Sequence, residues 1–219
     1  MGEVKHEYPL LYPLIPILLL APILKLLGWE SVDAAFLIVT IPLLIFPIIL
    51  IIGQIYNKNP IWKNKWKEGG ILALGALTVS LTIALWILFD YLYGNSSFSN
   101  QSVDTWFEWI TFDFLQSNYV ISQESRIIGI GVWIDQVTLM ILFVATFLCF
   151  LICWFSMGYM NTDPINEDRN HRFYAEFVLF SMGMFGMVLA DSFLWLFIFW
   201  EIMGLCSYLL IGFYYWKVS

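Results

Sequence analysis

The sequence predicts an all-α polytopic membrane protein with about six transmembrane helices and a short β-hairpin in an outer loop. Of its 219 residues, 60% are hydrophobic and 12% are charged, whereas soluble domains contain about 45–50% apolar and about 25% charged residues. The apolar residues are gathered in runs of about 20, the length that crosses a bilayer as a helix. This pattern excludes a soluble globular domain, a disordered chain and a small disulfide scaffold.

Six apolar runs predict six spans. They cover about 9–28, 34–56, 70–93, 133–157, 172–190 and 192–215. The first run competes with a cleaved signal peptide, but its acidic opening residues and lack of an A-x-A site favour a retained helix. Only Ala190-Asp191-Ser192 separates the last two runs, which predicts a tight helical hairpin.

The Lys and Arg residues are unevenly distributed between the two sides of the membrane that six spans would define. Eight of the ten lie on the side of both termini: Lys5, Lys58, Lys63, Lys65, Lys67, Arg169, Arg172 and Lys217. The other side holds Lys25 and Arg126. Because short cytoplasmic loops are enriched in Lys and Arg, both termini are expected to face the cytoplasm or matrix.

The long outer loop, about 94–131, contains alternating polar and aromatic residues. The stretches Asp104-Thr105-Trp106 and Trp109-Ile110-Thr111-Phe112 are typical of a short β-hairpin. Tryptophan is enriched at the membrane–water interface. We therefore expect this loop to form an ordered interfacial cap over the helices.

Several function classes are excluded by what the sequence lacks. The net charge of −7 argues against nucleic-acid binding, which needs basic patches. No Walker A or complete dinucleotide fingerprint is present, and Gly129-Ile130-Gly131 lacks the third glycine. Neither histidine lies in an apolar run, which excludes a bis-histidine haem in the membrane, and the three cysteines do not complete a metal site. No cofactor is expected in this chain.

Glu201 is the acid that lies inside an apolar run, about nine residues into the last span. A charge at the bilayer centre costs about 2.5–3.5 kcal/mol, and the dozen apolar neighbours return roughly 5 kcal/mol, so the helix can insert. At 100° per residue its face also carries Gly204, Leu205, Tyr208 and Gly212. Two glycines would let another helix approach, so this face is expected to meet protein.

Two interpretations of Glu201 stay open from its position alone. It is either a neutral acid hydrogen-bonded across a helix interface or a carboxylate that relays protons beside a cationic partner. The other acids lie near span ends. Asp135 begins the fourth span, where a carboxylate stabilises a helix N-terminus. Arg172 and Glu176, spaced i, i+4, can form an ion pair at the start of the fifth span.

The last span and its flanks carry a motif that resembles the antiporter-like subunits of respiratory complex I, above all the chain 5 or L-type subunit. The matching residues are Ala190, Asp191, Trp200, Glu201, Gly204, Ser207, Tyr208, Leu209, Leu210, Ile211 and Gly212. Upstream, Tyr159-Met160, Arg172-Phe173-Tyr174-Ala175 and Asp135 also resemble the family pattern. The resemblance extends over roughly 34–216 and is most specific at its end.

The resemblance implies a membrane-arm subunit of a proton-translocating NADH:quinone oxidoreductase, not catalytic alone. In this family a membrane Glu pairs with a Lys on a neighbouring helix, and Glu201 stands at that position. Asp191 matches an acid at the preceding hairpin, with Tyr208, Gly204 and Asp135 as supporting residues. No lysine lies within a predicted span, and the family's subunits have many more helices, so a C-terminal portion or second chain is expected to supply the Lys.

The resemblance also divides the chain and places it. Within one membrane domain, 1–219, it makes 1–33 an additional N-terminal helix, 34–131 two helices and the outer loop, and 132–219 the start of an antiporter-like bundle. The expected partners are other complex I membrane subunits and the lipid bilayer, with no nucleic acid. Glu-Ile-Met-Gly at 201–204 favours a prokaryotic inner membrane over a mitochondrial one. Related alternatives are an Mrp-type cation/proton antiporter subunit, a membrane-bound hydrogenase subunit and a non-pumping structural subunit.

Overall fold

A computed structural model describes residues 20–29, 31, 33–56, 69–93, 102–111, 127–160 and 169–215. The helices are α1 (Leu20–Leu26), α2 (Ala35–Tyr56), α3 (Gly70–Leu92), α4 (Gln136–Met160), α5 (Asn170–Leu189) and α6 (Phe193–Ile211). A 3₁₀ turn, Gly212–Tyr214, continues α6, and the strands are β1 (Ser102–Thr111) and β2 (Ile127–Trp133). The predicted helical class with a small β element is confirmed.

Five of the six predicted spans appear as helices that are long and apolar enough to cross a membrane. They are α2 to α6, with α6 extended by its 3₁₀ turn. The predicted first span, 9–28, lies mostly outside the described residues, which contain only its end as the seven-residue α1. The fourth helix begins at Gln136 rather than 133, because Trp133 still belongs to β2.

Helix α5 lies at the centre of the described bundle and contacts α2, α3, α4 and α6. Its Tyr174 and Phe185 are fully buried. Along the apolar window of α5 61% of residues are buried, against 6% along that of α6. Helix α6 is therefore a peripheral helix whose surface is largely uncovered by this part of the chain.

A few hydrogen bonds satisfy polar groups inside the apolar bundle. Ser80 Oγ of α3 donates to the carbonyl of Ile38 in α2 at 3.1 Å. Asn170 Nδ2, at the start of α5, donates to the carbonyl of Met160 at the end of α4 at 3.3 Å. Since the bilayer core offers no water, such contacts remove the cost of burying these donors between helices.

The strand pair differs in detail from the predicted hairpin. The alternating stretches of 104–112 that predicted two strands lie in the single strand β1 or just beyond it. Its antiparallel partner is β2, with Ser102 opposite Trp133 and Phe107 opposite Ile130. Strand β2 could not be predicted from its sequence, Ile-Ile-Gly-Ile-Gly-Val-Trp. This sequence has no polar–apolar alternation, and it contains two glycines, which weaken a strand.

Candidate functional site

Glu201 and its predicted neighbours lie on the outward side of α6. We call Glu201, Gly204, Leu205, Tyr208 and Gly212 the Glu201 face, and all five residues are exposed. Cys206, which points the other way, is fully buried. A Cβ atom added at Gly204 or at Gly212 would meet nothing within 4 Å. The predicted shared face is therefore present, and it is open.

The burial expected for Glu201 is not confirmed, because its side chain is exposed among the described residues. The reason lies in how α6 packs. A Cβ at Gly183 of α5 would lie 3.2 Å from the Phe199 carbonyl oxygen and the Met203 backbone nitrogen of α6. A Cβ at Gly186 would lie 2.6 Å from the Phe199 ring. The close helix approach thus uses glycines of α5 and turns Glu201 outward.

The sequence predicted that a neighbouring helix would approach α6 closely at Gly204 and Gly212. In the structure the close approach is made by α5, on the opposite face of α6. The motif Gly-x-x-Gly at 183–186 was the available signal, since small residues on a membrane helix let a neighbouring backbone come near. The two outward glycines are left as a shallow, uncovered part of the Glu201 face.

Asp191 lies in the predicted tight hairpin between α5 and α6. Ser192 caps α6 by accepting a hydrogen bond from the Trp195 backbone N–H at 3.5 Å. Ala190 forms an isolated β-bridge with Val132 of β2. Asp191 Oδ1 is buried and has no hydrogen-bond partner among the described residues. The strand pair is thus docked on the hairpin beside a carboxylate with one unsatisfied oxygen.

The position of Asp191 requires a glycine in β2. A Cβ at Gly131 would collide with Asp191 Oδ2. Gly131 therefore allows the Asp191 carboxylate to pack against the strand. This structural role is unrelated to the incomplete dinucleotide fingerprint at Gly129-Ile130-Gly131.

Asp135 caps the start of α4, as its position predicted. The Thr138 backbone N–H donates to Asp135 Oδ1 at 2.6 Å, and the Leu139 N–H donates to the Asp135 carbonyl at 3.0 Å. The hydrogen bond from Thr138 holds the pKa of this carboxyl below its usual range. The side chain is exposed, so its geometry supports a structural cap at the end of the span.

Glu176 is a buried acid that the sequence placed only in an ion pair at a helix end. Its Oε1 accepts a hydrogen bond from Arg172 Nε at 2.9 Å, so the predicted pair is present. However, Glu176 is only 6% exposed, and its Oε2 is buried with no partner among the described residues. The i, i+4 spacing of Arg172 and Glu176 predicted their ion pair. The burial of Glu176 depends on the packing of α6 beside it, so it could not be predicted from this spacing.

A cavity of about 420 Å³ lies beside Glu176, between the start of α5 and the end of α6. Its lining consists of Arg169, Arg172, Glu176, Tyr208, Leu209, Ile211, Gly212, Phe213 and Tyr215. Tyr208 and Gly212 belong to both this cavity and the Glu201 face. The cavity therefore opens at one end of that face, where polar and charged groups meet the apolar helix surface.

The described residues contain few possible partners for these acids. Lys and Arg occur there at Lys25, Arg169 and Arg172 alone, and none of these lies in the middle of a long helix. The described part of the chain also holds no cluster of three or more His, Cys, Asp or Glu side chains that could bind a metal ion. The cationic partner expected for Glu201 is not found among these residues.

Fold and site together define a class: a polytopic helical membrane protein whose outermost helix presents a carboxylate on an open, glycine-containing face. Residues 121–174 match the family model described as NADH-Ubiquinone oxidoreductase (complex I), chain 5 N-terminus. The chain is a homologue of the proteins named subunit 5 and subunit L, which confirms the resemblance predicted from its motif.

Three relatives illustrate the range of this similarity. The chain is 31% identical to the chloroplastic NAD(P)H-quinone oxidoreductase subunit 5 of Zygnema circumcarinatum over 82% of its length. It is 34% identical to F(420)H(2) dehydrogenase subunit L of Methanosarcina mazei over 85% of its length. It is 28% identical to NADH-quinone oxidoreductase subunit L of Neisseria meningitidis over 65%.

The chain spans only part of these relatives. The aligned regions cover 23% of the Zygnema protein, 23% of the Methanosarcina protein and 19% of the Neisseria protein. The relatives therefore contain extensive sequence that has no counterpart in the alignment.

Proposed function

We propose that this chain is the N-terminal portion of a proton-translocating membrane-arm subunit of a complex I-type oxidoreductase, with Glu201 as a proton relay. The observation that carries the proposal is the placement of Glu201, a carboxylate within an apolar helix on a face left open by its own bundle. The similarity to chain 5 and L-type subunits supports the same assignment.

The open face supports a further helix as the neighbour of Glu201. Against lipid, a carboxylate at mid-membrane costs about 2.5–3.5 kcal/mol or more, so such residues face protein or water. The relatives are several times longer than the aligned region, so the helices that follow can cover this face. A lysine on one of them would pair with Glu201. Loss or movement of that lysine charge would favour protonation of the carboxylate, which gives the pair a switch.

The remaining site residues receive supporting roles in this proposal. Tyr208 offers a hydroxyl two turns from Glu201 on the same face, and Gly204 leaves room for the approaching helix. Asp191, with one unsatisfied oxygen at the hairpin, stands where protons would leave or enter at the opposite end of α6. Asp135 stabilises the start of α4 as its cap.

The partners and placement follow from the same reasoning. The relatives are named for different electron donors, NAD(P)H, NADH and F(420)H(2). We therefore assign donor oxidation to partner subunits and propose that this chain carries no cofactor. Its partners are other membrane subunits of the complex and the lysine-bearing sequence. We propose a prokaryotic inner membrane with both termini cytoplasmic, since eight of ten cations lie on that side.

The test is Glu201→Gln in the complete complex, with proton uptake by inverted membrane vesicles measured beside quinone reduction. The substitution keeps the size of the side chain but cannot carry a proton. We expect a strong loss of proton translocation with the complex assembled. Glu201→Asp, which retains the acid, should restore part of it. Asp33→Asn, an acid before α2, serves as the control and should leave translocation unchanged.

Three outcomes would contradict the proposal. Unchanged translocation in assembled Glu201→Gln complexes would favour a non-pumping structural subunit. Proton movement that is driven by a sodium gradient and requires no electron donor would favour an Mrp-type antiporter. A hydrogenase assembly would be recognised by hydrogen evolution from the purified complex rather than quinone reduction.

A further inference from the structure

Glu176 has an environment that an ordinary surface ion pair does not explain. Arg172, whose side chain is 53% exposed, takes one carboxylate oxygen, Oε1. The other, Oε2, is buried and unpartnered among the described residues. A buried acceptor without a hydrogen bond costs about 1–3 kcal/mol, and more when charged. Glu176 therefore needs a further hydrogen-bond donor that the described side chains around it do not provide.

The cavity beside Glu176 can bring water to its side chain. A site needs roughly 10–15 Å³ to hold one water molecule, and this cavity measures about 420 Å³. Arg169 and Arg172 lie at its edge, at the start of α5, and both residues are exposed. Water can therefore enter beside the arginines and reach the Glu176 side chain, while Oε2 itself stays buried until that side chain or Arg172 moves.

The same cavity leads towards Glu201. Tyr208 lines it together with Glu176 and also lies on the Glu201 face. Seven residues, or two helical turns, separate Tyr208 from Glu201, which corresponds to about 10 Å along the helix axis. Because Gly204 has open space at its Cβ position, the described residues leave room on that face for water beside the proposed covering helix, between the cavity and Glu201.

We propose that Glu176 is a proton-uptake group, which takes protons from water in the Arg172–Tyr208 cavity and passes them to Glu201. This inference rests on the proposed relay role of Glu201. The protonated Glu176 carboxyl breaks its O–H bond and gives the proton to a cavity water. A chain of waters along Tyr208 then forms an O–H bond on the Glu201 carboxylate, and Glu176 is protonated again from bulk water.

The groups that face Glu176 suit this role. Arg172 donates to the carboxylate from the preceding turn of the same helix, Arg169 lines the cavity about two turns before Glu176, and Cys206 and Tyr208 approach from α6. His171 points elsewhere, since its side chain lies against Gly53 of α2. Because Arg172 is exposed, it can move away from Glu176 and free Oε1 to contact water in the cavity.

The first experiment compares Glu176→Gln with Glu201→Gln in the complete complex in inverted vesicles. Glutamine preserves size and hydrogen bonding, so a residue that only packs would tolerate the change. We expect about a hundredfold or greater slowing of proton translocation, the lower end of the range for losing a proton-transfer group. Quinone reduction should persist when an uncoupler removes the gradient. Glu176→Asp should recover part of the translocation rate.

The outcomes separate this inference from the proposed function. If Glu201→Gln blocks translocation and Glu176→Gln does not, proton uptake through Glu176 is wrong and the relay stands. If neither substitution affects translocation, the relay is wrong and the inference falls with it. If both Gln substitutions slow translocation and Glu176→Asp partly recovers it, the result supports both the Glu201 relay and proton uptake through Glu176.

A second experiment tests water access without relying on proton transfer. A membrane-impermeant thiol reagent is added to the cytoplasmic side of complexes carrying Gly212→Cys, at the cavity, or Leu148→Cys, exposed in the middle of α4. The native Cys149, Cys153 and Cys206 are buried and set the background. We expect labelling at position 212 alone. Absence of labelling at position 212 in the assembled complex would overturn the proposed cavity route.

Discussion

The contact between α5 and α6 fixes which face of α6 points outward, and Gly183→Ala tests it. The added Cβ would lie 3.2 Å from both the Phe199 carbonyl oxygen and the Met203 backbone nitrogen. Because both atoms belong to backbone, the helices must separate by a few tenths of an ångström. Overpacking of this kind costs about 1–3 kcal/mol. The better helix propensity of alanine returns about 1 kcal/mol.

A matched control isolates the clash. Gly75 lies within α3, and a Cβ added there would meet nothing within 4 Å. Gly75→Ala should therefore gain about 1 kcal/mol from helix propensity alone. The two variants should differ by about 1–3 kcal/mol, and each kcal/mol corresponds to about 2–4 °C in Tm for a chain of this size.

The assay is thermal unfolding of the purified chain in detergent, followed by far-ultraviolet circular dichroism. Gly183→Ala should unfold at a lower temperature than Gly75→Ala by this margin. If both substitutions raise Tm equally, α5 and α6 are not in backbone contact at Gly183. The outward orientation of Glu201 would then lose its structural basis.

Two further predictions concern the outer end of the bundle. Asp135→Ala should destabilise the chain by about 0.5–2 kcal/mol through loss of the α4 cap. Because hydrogen bonding lowers the pKa of Asp135, its stabilising effect should be present above the ordinary Asp value and be lost as pH falls through the folded value. Denaturant titrations across acidic pH should show a shallower decline for the variant, and parallel curves would contradict this. Gly131→Ala should lower Tm by displacing Asp191 from β2; an unchanged Tm would show that this contact is absent.

The helices could be predicted because membrane spans depend on local composition. Five of the six long apolar runs appeared as helices of membrane-spanning length, while the first lies mostly outside the described residues. The short link around Asp191 predicted the α5–α6 hairpin. The ends of the helices were less predictable where a strand adjoins the helix in sequence. Trp133 extended β2 into the expected start of α4, because it pairs with Ser102, 31 positions earlier in the sequence.

The candidate site could be predicted only in part. Helical geometry placed Glu201, Gly204 and Tyr208 on one face, which needs only the helical period. Whether that face meets protein depends on sequence beyond the described bundle. The burial of Glu176 likewise depends on tertiary packing by α6, which its i, i+4 spacing with Arg172 does not encode.

The number of protons translocated per two electrons by the Glu201→Gln complex tests the central claim most directly. The relay role predicts a lower ratio than in the unmodified complex, with assembly intact and the Asp33→Asn control unchanged. An assembled Glu201→Gln complex that retains the full ratio would contradict a relay role for this carboxylate.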